Sequence, residues 1–138
     1  EIDLPISRHP VRRKEMAVCS AGGKRALTLW KRIDLIGGKF SLLEVSLKTG
    51  RTHQIRVHLS HLGYPIVGDP VYGFRKTWWN RNCSEALDIG QSISRQMLHS
   101  VLLGFRHPGT GEYCEFKSPL AADMEKVIKG LKEMLNIS

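Results

Sequence analysis

Residues 49–63, TGRTHQIRVHLSHLG, gather Arg51, His53, Arg56 and His58 in or beside the expected first two turns of a helix. A helix N-terminus already carries partial positive charge, so cations there call for an anion facing them. Arg56 is the first candidate for chemistry. A helix that starts directly from a strand end fixes its position, and a planar guanidinium can grip a carboxylate or phosphate through two parallel hydrogen bonds. The alternative is a solvated surface arginine, and the neighbouring Thr52, His53 and Gln54 leave the two readings balanced. Asp69, in VGDPVYG, is a candidate anion. Aspartate before proline readily bonds nearby backbone in a turn, and that is the preferred reading. His58 and His61 have the spacing of two metal ligands on one helix face, but His53 does not face them and the helix carries no acid, so no metal site is expected. In FRKTWWNR, residues 74–81, Trp78 and Trp79 either stack on unpaired bases while Arg75, Lys76 and Arg81 meet phosphates, or fold back onto the core. The run containing Arg8, Arg12, Arg13 and Lys14 is either a second phosphate contact or a solvated arm.

The elements that must position these groups follow from periodicity. Residues 1–24 read as irregular and basic. Residues 25–36 alternate, with Leu27, Leu29, Ile33 and Leu35 on one side and Thr28, Trp30, Arg32 and Asp34 on the other, which is a half-buried strand. Gly37-Gly38 suits a hairpin turn, because glycine accepts positive φ, and a second strand runs from about Lys39 to Lys48. Thr52 is placed to cap a helix over 53–62, with Gly63 just past its end. Residues 64–73 read as an ordered loop and 74–95 as a long polar loop. Residues 97–106 read as a strand buried on both faces and 112–117 as its partner. Ser118-Pro119 can begin a last helix whose apolar stripe is Met124, Val127, Ile128, Leu131 and Leu135. The order strand, strand, helix, strand, strand, helix is α+β with a largely antiparallel sheet.

The chain's 138 residues suffice for one domain with a core. Lysine and arginine number 21 against 13 acids, for a net charge of +8, which favours a polyanionic partner such as nucleic acid. No apolar run is long enough to span a membrane. The three cysteines, Cys19, Cys83 and Cys114, are far apart and odd in number, which argues against a zinc site or disulfide framework and for the reducing cytoplasm. The first residue is Glu1 rather than methionine, as expected of a piece of a longer protein.

LKTGRTHQIRVHLSHLGYPIVGDPVYG, residues 47–73, resembles a signature of the RluA family of pseudouridine synthases, which act on large-subunit ribosomal RNA. DLPISRHPVRRKEMAV (3–18) and RQMLHSVLLGFRHPGTGEYCEFKSPL (95–120) are similar to the same family, most closely to its D branch. The likeness is long and collinear and covers nearly the whole chain outside 74–94. It implies an RNA-binding isomerase that detaches uracil from C1′ of the target uridine, rotates it and rejoins it through C5. It also implies a base drawn out of its stack and no metal or organic cofactor. The family's essential aspartate lies in an HRLD motif, and a tyrosine that packs on the target base is also upstream. Arg56 matches the arginine that pairs with that aspartate, with Thr52, His53 and Gln54 lining the site. KRIDLIGG, residues 31–38, echoes HRLD only superficially, since Asp34 sits at a hairpin end after which the arginine motif follows. On this reading 1–138 is the C-terminal part of a catalytic domain, inactive alone, and the anion for Arg56 lies outside the chain. Two other readings stand beside it: a non-catalytic RNA-binding module, and an unrelated enzyme that binds small phosphates at the basic helix start.

Overall fold

A computed structural model of the chain describes residues 1–75 and 77–135. Among the described residues, seven strands form three antiparallel sheets. Strand β1 (Ile2–Asp3) pairs with β4 (Leu27–Ile36), which pairs with β5 (Phe40–Leu47). Strands β2 (Ile6–Arg8) and β3 (Met16–Val18) make a small ribbon, and β6 (Leu102–Arg106) with β7 (Tyr113–Lys117) makes another. The helices are α1 (Gln54–His61), α2 (Thr77–Asn82), α3 (Leu87–Ser92) and α4 (Ala122–Leu135), with a 3₁₀ turn at Ser84–Ala86. The class is α+β, as the periodicity predicts.

The β4–β5 hairpin organises two cores. Gly37 and Gly38 both take positive φ at its turn. The pairing register then slips between Arg32 and Asp34, a β-bulge with one extra residue on β4. A one-residue slip exchanges the faces of a strand. Thr28 pairs with Leu47, whereas Ile36 pairs with Phe40, so these two buried β4 residues lie on opposite faces of the hairpin. Leu43, on the Thr28 side, joins Ile2, Leu59 and Ile66. At the turn end, Ile36 and Phe40 pack with Trp79, Cys83, Ala86, Val127 and Leu131. This corrects the simple alternation expected for β4: Thr28 is fully buried, while Ile33 and Leu35 are about half exposed.

Other boundaries also move. Residues 1–24 are not irregular, since they hold β1, β2 and β3. The stretch 74–95 is not a loop: α2, the 3₁₀ turn and α3 fold back so that Trp79 stacks on Phe40 with ring centroids 5.3 Å apart. Trp79 is buried and leaves the set expected to stack on bases. Trp78 is half-buried, parallel to Phe74 at 5.0 Å and edge-on to Phe40 at 5.9 Å. The strand expected to be buried on both faces is exposed along Leu102–Arg106, because β6 and β7 pair only with each other. Helix α4 begins at Ala122, three residues after Pro119, and buries the expected Val127 and Leu131.

The two adjacent tryptophans therefore differ in weight. Trp79→Ala should lower the unfolding free energy by about 3–5 kcal/mol, the usual cost of emptying a large aromatic site. Trp78→Ala should cost clearly less. Urea midpoints of the two variants check this, and equal losses would contradict the assignment of Trp79 to the core.

Candidate active site

Helix α1 starts on a strained residue. His53 stands at its N-cap position with φ of 56°, the one positive value at a non-glycine among the described residues. Thr52, expected as the cap, is exposed, and no side chain caps the helix. The far end matches expectation: Gly63 has φ of 85°, its N–H reaches the Ser60 carbonyl, and the Tyr64 N–H reaches that of Leu59. These are the paired bonds of a Schellman ending.

Gln54 and His58 point into the protein. The Gln54 side-chain amide donates to the Leu27 carbonyl (3.1 Å) and to Thr28 Oγ1 (3.0 Å). Its oxygen accepts from Thr49 Oγ1 (2.8 Å) and the Arg51 N–H (3.0 Å). Thr28 Oγ1 lies 2.9 Å from His58 Nδ1, and His58 Nε2 lies 2.8 Å from the Leu4 carbonyl. A carbonyl can only accept, so Nε2 carries the His58 proton and Nδ1 accepts from Thr28. Gln54 is therefore a buried tie between the hairpin and α1 rather than a site-lining group, which corrects its expected role. His58 has no free nitrogen for a metal, and no cluster of metal-binding side chains occurs among the described residues.

Arg56 points the other way, and it has a partner within the chain. Its Nε donates to Asp69 Oδ2 at 2.7 Å and its Nη2 to Oδ1 at 2.9 Å, the two-pronged geometry of a strong guanidinium–carboxylate pair. The side chains are 13% and 1% exposed. The expectation that the chain supplies no anion for Arg56 is thereby corrected. Asp69 is also the turn residue anticipated: Oδ1 accepts from the N–H groups of Val71 (2.9 Å) and Tyr72 (3.0 Å). Gly68 allows this approach. It has φ of 75°, and a Cβ there would strike the Arg95 carbonyl and Ile93. Arg56 Nη1 makes no hydrogen bond to any described residue.

Tyr72, which the sequence reading passed over, joins the cluster. The Arg56 guanidinium carbon lies 4.9 Å from the centre of its ring. Its Oη is 2.8 Å from His53 Nδ1 and accepts the Met16 N–H at 2.9 Å, which ties the β2–β3 ribbon to the site. Its carbonyl accepts from Ser60 Oγ at 2.9 Å. The signal was present in VGDPVYG: a tyrosine three residues after the aspartate returns to the same turn.

Electrostatics follow the contacts. Burial disfavours ionisation of Asp69, but the hydrogen bond from Arg56, the Tyr72 and Val71 amides and the Arg56 charge outweigh it and hold the carboxyl below its usual range. The hydrogen bond with Asp69 raises Arg56 further above its already high value. Burial, then the nearby Arg56 charge, lowers the His53 pKa against a weaker pull from Asp69, which favours neutral imidazole at pH 7.

The remaining basic candidates lie outside this cluster of contacts. Arg8, Arg12, Arg13, Lys14, Arg51, Arg75 and Arg81 are all exposed. Arg12 pairs with Glu15 at 3.2 Å, and Arg51 Nε donates to the Arg25 carbonyl at 3.0 Å. Lys76 lies outside the described residues. Asp34 is bound to Lys132 at 2.6 Å, remote in sequence from the arginine motif and engaged with α4.

Asp69→Asn should cost about 3–5 kcal/mol, because it strands a partly buried arginine without its counter-charge. The lowered Asp69 pKa gives stability that is fully present above the unfolded carboxyl value, about pH 4, and is lost as pH falls through the folded value. The acid limb of a stability–pH curve should therefore be shallower in Asp69→Asn than in the wild type. Parallel limbs would show that the pair carries no such linkage.

Residues 1–61 match the model of the RNA pseudouridylate synthase family. An uncharacterised RNA pseudouridine synthase of Chloroflexus aurantiacus is 48% identical over 132 residues, which cover 96% of this chain and 37% of that protein. The ribosomal large subunit pseudouridine synthase D of Zymomonas mobilis is 41% identical over 131 residues, covering 94% of this chain and 39% of that one. The structure of human RNA pseudouridylate synthase domain containing 1 superposes with a TM-score of 0.63 at 26% identity, over 95% of this chain and 58% of the human one. The chain thus spans well under half the length of these curated relatives. Across the part of their length that it spans, the chain is similar to RNA pseudouridine synthases and shares their fold.

Proposed function

We propose that this chain is part of an enzyme that converts uridine to pseudouridine in RNA, with large-subunit ribosomal RNA in the cytoplasm as the substrate. The observation that carries the proposal is the half-engaged guanidinium of Arg56. Asp69 takes Nε and Nη2 and fixes the plane of the group, while Nη1 remains without a partner among the described residues. A fixed N–H of this kind suits a second carboxylate, the one that attacks or relays protons during isomerisation. That carboxylate is proposed to come from an HRLD segment N-terminal to Glu1, in the remainder of the catalytic domain. Asp69 and Asp34 do not replace it, since Asp69 is committed to Arg56 and Asp34 to Lys132. Accurate placement of a reacting group can be worth about 7–11 kcal/mol of barrier, which a carboxylate elsewhere in the chain would forfeit. The reaction is a redox-neutral isomerisation, so it has no net need of an electron carrier.

The exposed bases Arg8, Arg12, Arg13, Lys14, Arg51, Arg75 and Arg81, with the half-buried Trp78, are the proposed RNA-facing groups. Phosphate contacts release counterions, so the logarithm of RNA affinity should fall linearly with the logarithm of salt concentration. An affinity that ignores salt, or none for any RNA, would remove the phosphate-binding reading.

Incubated alone with unmodified ribosomal RNA, residues 1–138 should yield no chemically tagged pseudouridine. A protein extended upstream through HRLD should yield it. In that extended protein, Arg56→Lys should slow single-turnover isomerisation at least tenfold although the charge is kept, because lysine cannot hold two carboxylates in one plane. Asp34→Asn should leave the rate near wild type. Product from 1–138 alone would place the catalytic carboxylate inside this chain. RNA binding without turnover by the extended protein would instead favour a non-catalytic RNA-binding module.

A further inference from the structure

His53 occupies a backbone position that its side chain does not make easy. A left-handed φ at a non-glycine residue is uncommon, and the side chain gives the helix no capping bond. Glycine would meet the backbone requirement without strain, so the turn itself does not explain an imidazole here. Strained residues of this kind cluster at functional sites, where the surrounding structure holds them in place.

Tyr72 is what holds the ring. Its Oη accepts the Met16 N–H at 2.9 Å and lies 2.8 Å from His53 Nδ1. With one donor already arriving at the oxygen, the arrangement that also uses the phenol proton has Oη–H donating to Nδ1. The imidazole is then the Nε2–H tautomer, and Nε2 makes no hydrogen bond to any described residue. The lowered His53 pKa agrees with a neutral ring. The same Tyr72 ring lies 5.6 Å from the His53 ring and 4.9 Å from the Arg56 guanidinium carbon, so one side chain braces both groups.

We propose that His53, locked by Tyr72 with its proton on Nε2, is a specificity-determining residue that donates a hydrogen bond to O4 of the target uracil, the carbonyl oxygen that cytosine replaces with an amino group. This rests on the reading of the site as a pseudouridine synthase site. Uracil offers two carbonyl acceptors, whereas cytosine replaces one of them with an amino donor. A fixed neutral donor therefore favours uracil, where a freely rotating or cationic group would discriminate less. Tyr72 acts through His53 and is a positioning residue.

The test uses the 138-residue chain. Imidazole ¹⁵N spectra should show His53 Nε2 protonated and Nδ1 bare, and Tyr72→Phe, which keeps the ring under Arg56, should give a mixture of tautomers. Anisotropy titrations with short oligouridylate and oligocytidylate should show a preference for uridine of about threefold to tenfold, the range of one neutral hydrogen bond. His53→Ala should abolish the preference, and His53→Gln, whose amide nitrogen stands near the place of Nε2, should restore part of it. A proton on Nδ1, equal binding of the two oligonucleotides by the wild type, or a preference unchanged in His53→Ala would each overturn the inference. Those results leave the Arg56 reading intact, which isomerisation by the extended protein tests separately. Failure to bind either oligonucleotide would defeat the RNA-facing reading of the site and this inference with it.

Discussion

The carboxylate of Asp69 is the constraint on which the site depends. Its Oδ1 accepts three hydrogen bonds, from Arg56 Nη2 and from the Val71 and Tyr72 amides, and Oδ2 accepts a fourth from Arg56 Nε. One side chain thus closes the turn that follows α1 and anchors that turn to the helix. A carboxylate so fully used is stable as an anion in a buried place, where an unpaired charge would be strongly disfavoured. The arginine gains more than a counter-charge. With two of its three nitrogens committed, its plane and direction are set by the fold itself, the preorganisation that the proposed catalysis would use.

Behind the site, a chain of buried polar groups makes α1 rigid relative to the hairpin. Thr49, Gln54, Thr28 and His58 pass hydrogen bonds from one to the next and end on the Leu4 carbonyl beside β1. No buried side-chain polar atom among the described residues lacks a partner. A fully satisfied network of this kind specifies one arrangement, because any slip leaves a buried group unpaired. The helix therefore divides its duties by face. Gln54 and His58 fix it to the sheet, and His53 and Arg56 meet the Asp69–Tyr72 turn.

The periphery has a different character. The basic side chains at 8–14 and at Arg75 and Arg81 are exposed, as suits groups that would meet phosphates rather than build the fold. The β6–β7 ribbon displays Leu102, Leu103, Tyr113 and Phe116 at more than half exposure, and Phe105 stacks on Phe116 at 5.9 Å. An apolar ribbon paired only with itself is marginal in water, and burial against further structure would stabilise it.

What the sequence determined by itself was local or carried by motif. The β4–β5 hairpin is legible because Gly37-Gly38 permits the turn, and α1 because its spacing runs out at Gly63. The buried stripe of α4 is legible from period alone, and Arg56 from the chemistry of its motif. Tertiary structure decided whatever depends on which surfaces meet. The bulge between Arg32 and Asp34 exchanges the buried face of β4, and no residue type in that stretch announces it. Trp79 reads equally as a base platform or a core residue until α2 is seen to fold onto Phe40. Asp69 reads as a turn residue from sequence and is one, yet its second role needs Arg56, thirteen positions away, to arrive across the turn. Hydrogen-bond donors and acceptors are fixed by composition, but their pairing is fixed by three-dimensional proximity, and the site is made of pairings.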